Sequence, residues 1–385
     1  MFRIVPKNTD IDFVGKAKIV ATISLLVVIG SIALYFTKGP SWGIDFVGGT
    51  DIILKFEKDV TDVEVRDAAL RVFKDAGVQK FGEAGSREYK IQTKEISVVN
   101  EQSVDKIKGK LKTLSDVRRI LWQAEQPDKM TVVFKDRDID TDKIKSSVET
   151  LGLENVVVTT EGVDESKRYI VRFEGLGSRT KKGFAAVMGP AFNADTGLVR
   201  LKTVGPTVGK QLRQAGAYSL IVALFLILIY IAFRFDIRYA TGAVAALGHD
   251  VAISIGVFIL VGTEFNLSII AALLTIVGYS LNDTIVVFDR IRENFTEEGE
   301  EDVPKVVNAS INETLSRTLM TSITTLLAVG AIYLWSGDLI QDFAFALIVG
   351  VGVGTYSSVF VASPVMLAVD NFLRVRKASR QVISA

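Results

Sequence analysis

Six stretches of mostly apolar residues constrain this chain more than any other feature, because about 20 such residues in a row cross a bilayer core as a helix. They cover 17–36, 215–233, 240–262, 267–288, 311–335 and 343–369. Hydrophobic residues are 49% of the 385 and charged residues still 23%, so the apolar excess is segregated and the remainder is ordinary water-soluble protein. The first run is long, and no small-x-small cleavage site follows it, so an uncleaved anchor is expected rather than a signal peptide.

Positive charge sets the expected orientation. Arg3, Lys7, Lys16 and Lys18 precede the first span, and Arg234 and Arg238 lie between the second and third. Arg290, Arg292 and Lys305 lie between the fourth and fifth, and Arg374, Arg376, Lys377 and Arg380 follow the sixth. The short loops 263–266 and 336–338 carry no Lys or Arg. Both termini (1–16 and 370–385) and a 289–310 loop are therefore expected in the cytoplasm, with 38–213 on the far side.

That far-side region reads as an α+β repeat. In a first unit, 50–126, a strand at Asp51–Glu57 precedes a helix at Thr61–Ala76 with Val63, Ala68, Ala69, Val72 and Phe73 on its apolar side and Gly77 as its stop. Strands at Val78–Phe81 and Glu88–Thr93, a helix at Glu101–Leu114 and a strand at Val117–Trp122 complete it. A second unit, 127–207, repeats the order: strand Met130–Asp136 with Phe134 in the place of Phe56, helix Thr141–Leu151 ended by Gly152, strands Val156–Thr160 and Arg168–Phe173, helix Ser178–Met188 and strand Leu198–Val204. The period is roughly 75–80 residues. Each unit reads β-α-β-β-α-β, a ferredoxin-like order, and Val-Arg opens the last strand of both (Val117-Arg118, Val199-Arg200).

Several chemistries are excluded. A net charge of +1 argues against nucleic acid. The absence of cysteine removes disulfides, thiol catalysis and cysteine metal sites, and a single histidine argues against a histidine-based site, so neither a metal nor a cofactor is expected. Gly205-Pro206-Thr207-Val208-Gly209-Lys210 is one residue short of a phosphate loop and lacks the following Ser or Thr, and 350–354 lies inside an apolar span, so no nucleotide site is expected. No hydrolase triad is visible, and the chain does not read as an enzyme.

The ionisable residues inside spans carry the functional signal, since a charge near the bilayer centre costs at least about 2.5–3.5 kcal/mol. Asp283 sits about six residues before the end of span four and Arg317 about six after the start of span five, each roughly 9 Å from the same surface. They are placed to pair. Thr275, Tyr279, Asn282 and Asp283 recur at helical spacing on span four, as do Thr314, Arg317, Thr318, Thr321 and Thr325 on span five. Facing polar stripes suit an ion or proton pathway; the same pair is also compatible with a static bridge that fixes helix register. His249 and Asp250 on span three diverge by about 100° and read as a secondary relay or as structural hydrogen-bonding groups. Ala346, Gly350, Gly354, Ser358 and Ala362 place a small residue at every fourth position of span six, a helix-packing seam.

Four stretches resemble a known family. Trp42-Gly43-Ile44-Asp45-Phe46-Val47-Gly48-Gly49-Thr50 resembles the motif that follows the first span in the SecD/SecF protein-export family. Residues 278–294 (GYSLNDTIVVFDRIREN), with 310–318 (SINETLSRT) and 354–358 (GTYSS), resemble its SecF branch. The resemblance implies an RND-type six-helix bundle in the bacterial cytoplasmic (inner) membrane, paired with a SecD partner that supplies six further spans and the second essential acid. It implies that the pair helps the Sec translocon channel move unfolded preproteins outward with the proton or sodium motive force, and that Asp283 and Arg317 are the transport residues of this half. Members usually carry one smaller external ferredoxin-like unit, so the doubled region departs from the pattern. An RND-type exporter of lipids or small molecules, or a non-transporting assembly scaffold, are the other readings.

Overall fold

The structure, a computed structural model, describes residues 6, 10–82, 85–97, 99, 101–123, 128–135, 139–151, 153, 155–162, 167–298, 302–336 and 338–383. Arg3, Lys7, Asp136, Gly152 and Gly337 from the sequence reading lie outside the described residues, as do the side chains of Lys377 and Arg380. In chain order the elements are α1 (Ala17–Thr37), β1 (Ser41–Trp42), α2 (Ile44–Val47), β2 (Gly49–Lys55), α3 (Asp62–Val72), β3 (Gly77–Phe81), β4 (Glu88–Thr93) and α4 (Glu101–Lys112). There follow β5 (Val117–Trp122), β6 (Lys129–Phe134), α5 (Thr141–Glu149), β7 (Val157–Glu161), β8 (Arg168–Arg172), α6 (Leu176–Met188) and β9 (Leu198–Val204). The rest is α7 (Pro206–Arg234), α8 (Ile237–Val261), β10 (Glu264–Phe265), α9 (Leu267–Glu298), α10 (Val303–Trp335), α11 (Asp338–Ser357), a π turn (Ser358–Ala362) and α12 (Ser363–Ile383). The chain divides into two compact units, 1–43 with 213–385, and 44–212.

In the first unit, six helices are long and apolar enough to cross a membrane: α1, α7, α8, α9, α10 and the continuous helix Ile340–Arg376 through the π turn. The expected 289–310 loop is corrected. α9 runs to Glu298 and α10 starts at Val303, because Ile291, Phe295, Val303, Val306 and Val307 continue the buried stripe past the apolar runs. Their exposed faces are polar, which disguised the helix. For the same reason α7 starts at Pro206, a residue suited to the first helical position, and α12 continues through the expected tail to Ile383.

The second unit holds two four-stranded antiparallel sheets, ordered β3-β4-β2-β9 and β5-β6-β8-β7. The expected split at 126/127 is corrected: the closing strands are exchanged. β5, read as the end of the first unit, pairs with β6, whereas β9, read as the end of the second, pairs with β2. The helices follow their sheets. Val65, Ala68, Ala69 and Val72 of α3 share a core with Leu176 and Phe184 of α6; Val104, Ile107 and Leu111 of α4 share one with Ile144 and Val148 of α5. One sheet layer is thus inserted within the sequence of the other. Val63 is exposed rather than apolar-side, and Gly77 opens β3 rather than stopping a helix that already ends near Phe73.

A repeated internal detail supports the duplication signal. Phe56 meets Tyr89 edge-on at 5.6 Å, and Phe134 meets Tyr169 at 5.5 Å. Each tyrosine hydroxyl then ties down the loop before a helix: Tyr89 donates to the Val60 carbonyl at 2.8 Å, and Tyr169 accepts from the Ile139 amide at 3.0 Å.

Candidate functional site

Helix periodicity brings Ile276, Val277, Ser280, Asp283, Thr284 and Val287 to the buried side of α9. Asp283 is 2% exposed. Its nearest side-chain donor is Ser322 of α10, whose hydroxyl is 3.5 Å from Oδ2. Ser322 Oγ also lies 2.6 Å from Thr355 Oγ1 of α11, and Tyr279 OH donates to Ser322 at 3.4 Å. Three helices therefore meet through hydroxyls around one carboxylate.

Counting protons shows how weakly that carboxylate is held. Thr355 donates its hydroxyl proton to the Val351 carbonyl at 2.7 Å. Ser322 has a single proton to share between Thr355 at 2.6 Å and Asp283 at 3.5 Å. Asp283 is thus held by one side-chain hydrogen bond, at the limit of hydrogen-bonding distance, from a donor that has a second, shorter contact. An ionised carboxylate buried without a partner is costly, and a bound cation or proton offsets that cost. Thr284 Oγ1 on α9 and Thr318 Oγ1 on α10 are buried without a hydrogen-bond partner.

The expected Asp283–Arg317 pair is corrected. Arg317 is exposed on α10, and among the described residues it has no carboxylate within 4.0 Å. The hydroxyl stripe on this helix splits in two. Of the stripe, Thr314 and Thr318 face inward, with Ser322 continuing their four-residue spacing, Arg317 and Thr321 are exposed and Thr325 is half-buried; the neighbouring Thr324 is exposed too. On α9, Asn282 and Thr275 are likewise exposed, Tyr279 is half-buried, and Asp283 alone of that stripe is buried. Ser322 and Thr355 were not picked out as site residues from the sequence; the four-residue step from Thr314 through Thr318 to Ser322 was the available signal.

Asp250 contrasts with Asp283. It is 1% exposed, but Ser280 and Ser357 (2.7 Å) both donate to Oδ2, and His249 Nδ1 lies 2.8 Å from Oδ1. The reading of His249 and Asp250 as diverging neighbours is corrected: the side chains bend back to meet each other. The His249 ring stacks on Tyr356, whose hydroxyl bonds Ser24 at 2.7 Å. Asp250 is a satisfied carboxylate tying α8 to α9 and α11.

The small-residue seam sets how closely these helices approach. A Cβ on Gly350 would collide with Ile276, and one on Gly354 would lie 3.0 Å from Ser280 Cβ. Ser358 opens the π turn, a feature often found at functional sites, and its hydroxyl donates to the Thr355 carbonyl at 3.0 Å.

The motif after α1 is architectural. Gly43 N–H donates to the Phe265 carbonyl at 2.8 Å beside the parallel β1–β10 pair. Asp45, 5% exposed, receives Lys202 Nζ at 2.6 Å. Gly48 has φ +80° and Gly49 φ +132°, where a side chain is strained, and a Cβ on Gly49 would strike the Thr93 carbonyl. This turn delivers the chain into β2. Among the described residues, no group of three or more His, Cys, Asp or Glu could hold a metal ion.

Two family models match: protein export membrane protein SecD/SecF, C-terminal, over residues 186–371, and the SecD/SecF GG motif over residues 36–60. Protein translocase subunit SecF of Vibrio alginolyticus is 36% identical over 95% of this chain and 92% of its own length. Protein translocase subunit SecF of Calditerrivibrio nitroreducens is 33% identical over 94% of each. The crystal structure of SecDF, a translocon-associated membrane protein from Thermus thermophilus, aligns with a TM-score of 0.60 and 31% identity over 94% of this chain, which spans 39% of that longer one.

Proposed function

The chain belongs to the SecF family of protein translocase subunits, and from that membership we propose that it assists Sec-dependent export of unfolded preproteins, coupling the transfer of a proton or sodium ion at Asp283 to movement of its membrane helices. The under-satisfied, buried carboxylate of Asp283 carries this reading. Ser322, Thr355 and Tyr279 place hydroxyls from three helices around it, and the close Gly350 and Gly354 contacts give those helices a smooth surface to shift along.

The partner is a SecD chain. An exposed arginine within a span has no counter-charge in lipid. Arg317, with Asn282, Thr321 and Thr324, therefore marks the face that a partner's helices cover, and a partner carboxylate there supplies the missing charge. In the proposed cycle an ion entering from the far side neutralises Asp283, the hydroxyl bonds re-sort, and the helices repack. A membrane potential supplies about 2.3 kcal/mol per charge per 100 mV, enough to bias a two-state element about 50-fold. Asp250 with His249 serves as a secondary element that holds α8 to the bundle during this change. The positive charges flanking the spans put both termini in the cytoplasm and the two-sheet unit outside the cytoplasmic membrane. Export by the reconstituted complex, measured with and without an imposed gradient, tests this reading.

A further inference from the structure

The second sheet, β5-β6-β8-β7, is covered by α4 and α5 on one face and carries a depression of about 380 Å³ elsewhere. Arg118, Arg119, Lys167 and Arg168 line it, with Leu121, Thr131 and Val133 between them. Arg119 and Leu121 of β5 stand opposite Val133 and Thr131 of β6, and Thr131 stands opposite Ile170 of β8. Four cations from two strands and a strand end are thus gathered around an apolar floor.

Like charges this close repel, and such a cluster is normally relieved by carboxylates. Among the described residues, the carboxylates nearest Arg118, Arg119 and Arg168 are not used. Asp116, just before β5, is taken by Lys135 at 2.7 Å, and the Lys135 ammonium with its hydrogen bond holds the Asp116 carboxyl below its ordinary range. Glu161 stands across from Arg168 in the β7–β8 ladder but forms no ion pair with it. Among the described residues, Arg118, Arg119 and Arg168 make no ion pair and no side-chain hydrogen bond.

β5 is also an edge strand, paired on one side to β6 and on the other to no described strand. Charges on an edge strand often serve to block unwanted pairing. That role accounts for Arg118 and Arg119 but not for Arg168, which lies on the interior strand β8, nor for Lys167 just before it.

We propose that this depression and the open edge of β5 form a docking site for an extended polypeptide segment rich in Asp and Glu. The backbone of such a segment adds to β5, and its every second side chain, a carboxylate, turns to the face that carries Arg119, Leu121, Val133 and Arg168 and takes the unpaired guanidinium groups there. Binding here does not require Asp283 to carry an ion, so failure at one site leaves the other standing.

The experiment uses the whole chain in phosphatidylcholine nanodiscs and two short fluorescent peptides, one alternating Glu with Val and one alternating Lys with Val. Fluorescence anisotropy is expected to show the acidic peptide binding at least tenfold tighter, with affinity falling as salt rises. R119Q/R168Q is expected to lose about tenfold, R119K/R168K to retain most binding, and K106Q/K110Q, which removes two exposed charges from α4, to bind as the native chain does. Equal binding of both peptides overturns the proposal, as does an equal loss in the α4 variant. Binding to phosphatidylglycerol vesicles that R119Q/R168Q abolishes, with no peptide binding, also overturns it and assigns the patch to lipid.

Discussion

Asp283 and Arg317 sit on the contacting helices α9 and α10 and form no ion pair: the aspartate is buried beside Ser322, and the arginine is exposed, with no carboxylate within 4.0 Å among the described residues. Their equal depth brought them together in the sequence reading, but depth fixes only one of the two coordinates on a helix surface. The azimuth, about 100° per residue, turns Arg317 about 100° from Thr318 and about 140° from Ser322.

This separation predicts where a partner touches. The chain has no cysteine, so each introduced thiol is unique. Arg317→Cys and Thr321→Cys are expected to cross-link to SecD in native membranes, whereas Ser322→Cys, on the buried side, is expected not to. Cross-linking from Ser322→Cys alone would place the partner on the wrong face.

Packing along α11 makes a second prediction. Gly350 has no room for a side chain against Ile276, while Gly352 has nothing within 4 Å of a built Cβ. Overpacking of this kind costs about 1–3 kcal/mol. Gly350→Val is expected to lower the unfolding midpoint of the detergent-solubilised protein, and Gly352→Val to leave it unchanged. Equal midpoints would mean that the α9–α11 seam is not tight.

The α6 start offers a pH test. Burial raises the Glu174 pKa, but the Lys182 ammonium and Ser178 hydroxyl outweigh it and hold the carboxyl below its ordinary range. A depressed carboxylate pKa stabilises the fold above the unfolded-state value and loses that contribution as pH falls through the folded-state one. Glu174→Gln is therefore expected to lower the thermal midpoint by roughly 1–3 °C at neutral pH. Below pH 3 the difference is expected to vanish. A difference that persists in acid would point to packing rather than charge.

How far the sequence disclosed this molecule depended on how local each feature is. The six spans, the strands of the two four-stranded sheets and most soluble helices are local patterns of period 3.6 or 2, and they were legible, whereas the two-residue strands β1 and β10 were too short to show a period. Strand partners are not local. Val117-Arg118 and Val199-Arg200 look alike, and only pairing shows that β5 belongs with β6 and β9 with β2. The ends of α9 and α10 were hidden because their buried stripe, Ile291 to Val307, is narrow and flanked by charge. At the site, Asp283 stood out as a rare charge in a span, while Ser322 and Thr355 did not, since hydroxyls within spans are common and their significance lies in the proton count around one carboxylate.

The central claim is that Asp283 carries the coupling ion. Its most direct test is preprotein export into sealed vesicles containing the Sec channel and SecD, with native chain or Asp283→Asn, with and without an imposed proton or sodium gradient. The account predicts that a gradient stimulates export with the native chain and has no effect with Asp283→Asn, while gradient-independent export is the same for both. Equal stimulation of the two would contradict it and leave Asp283 a structural residue.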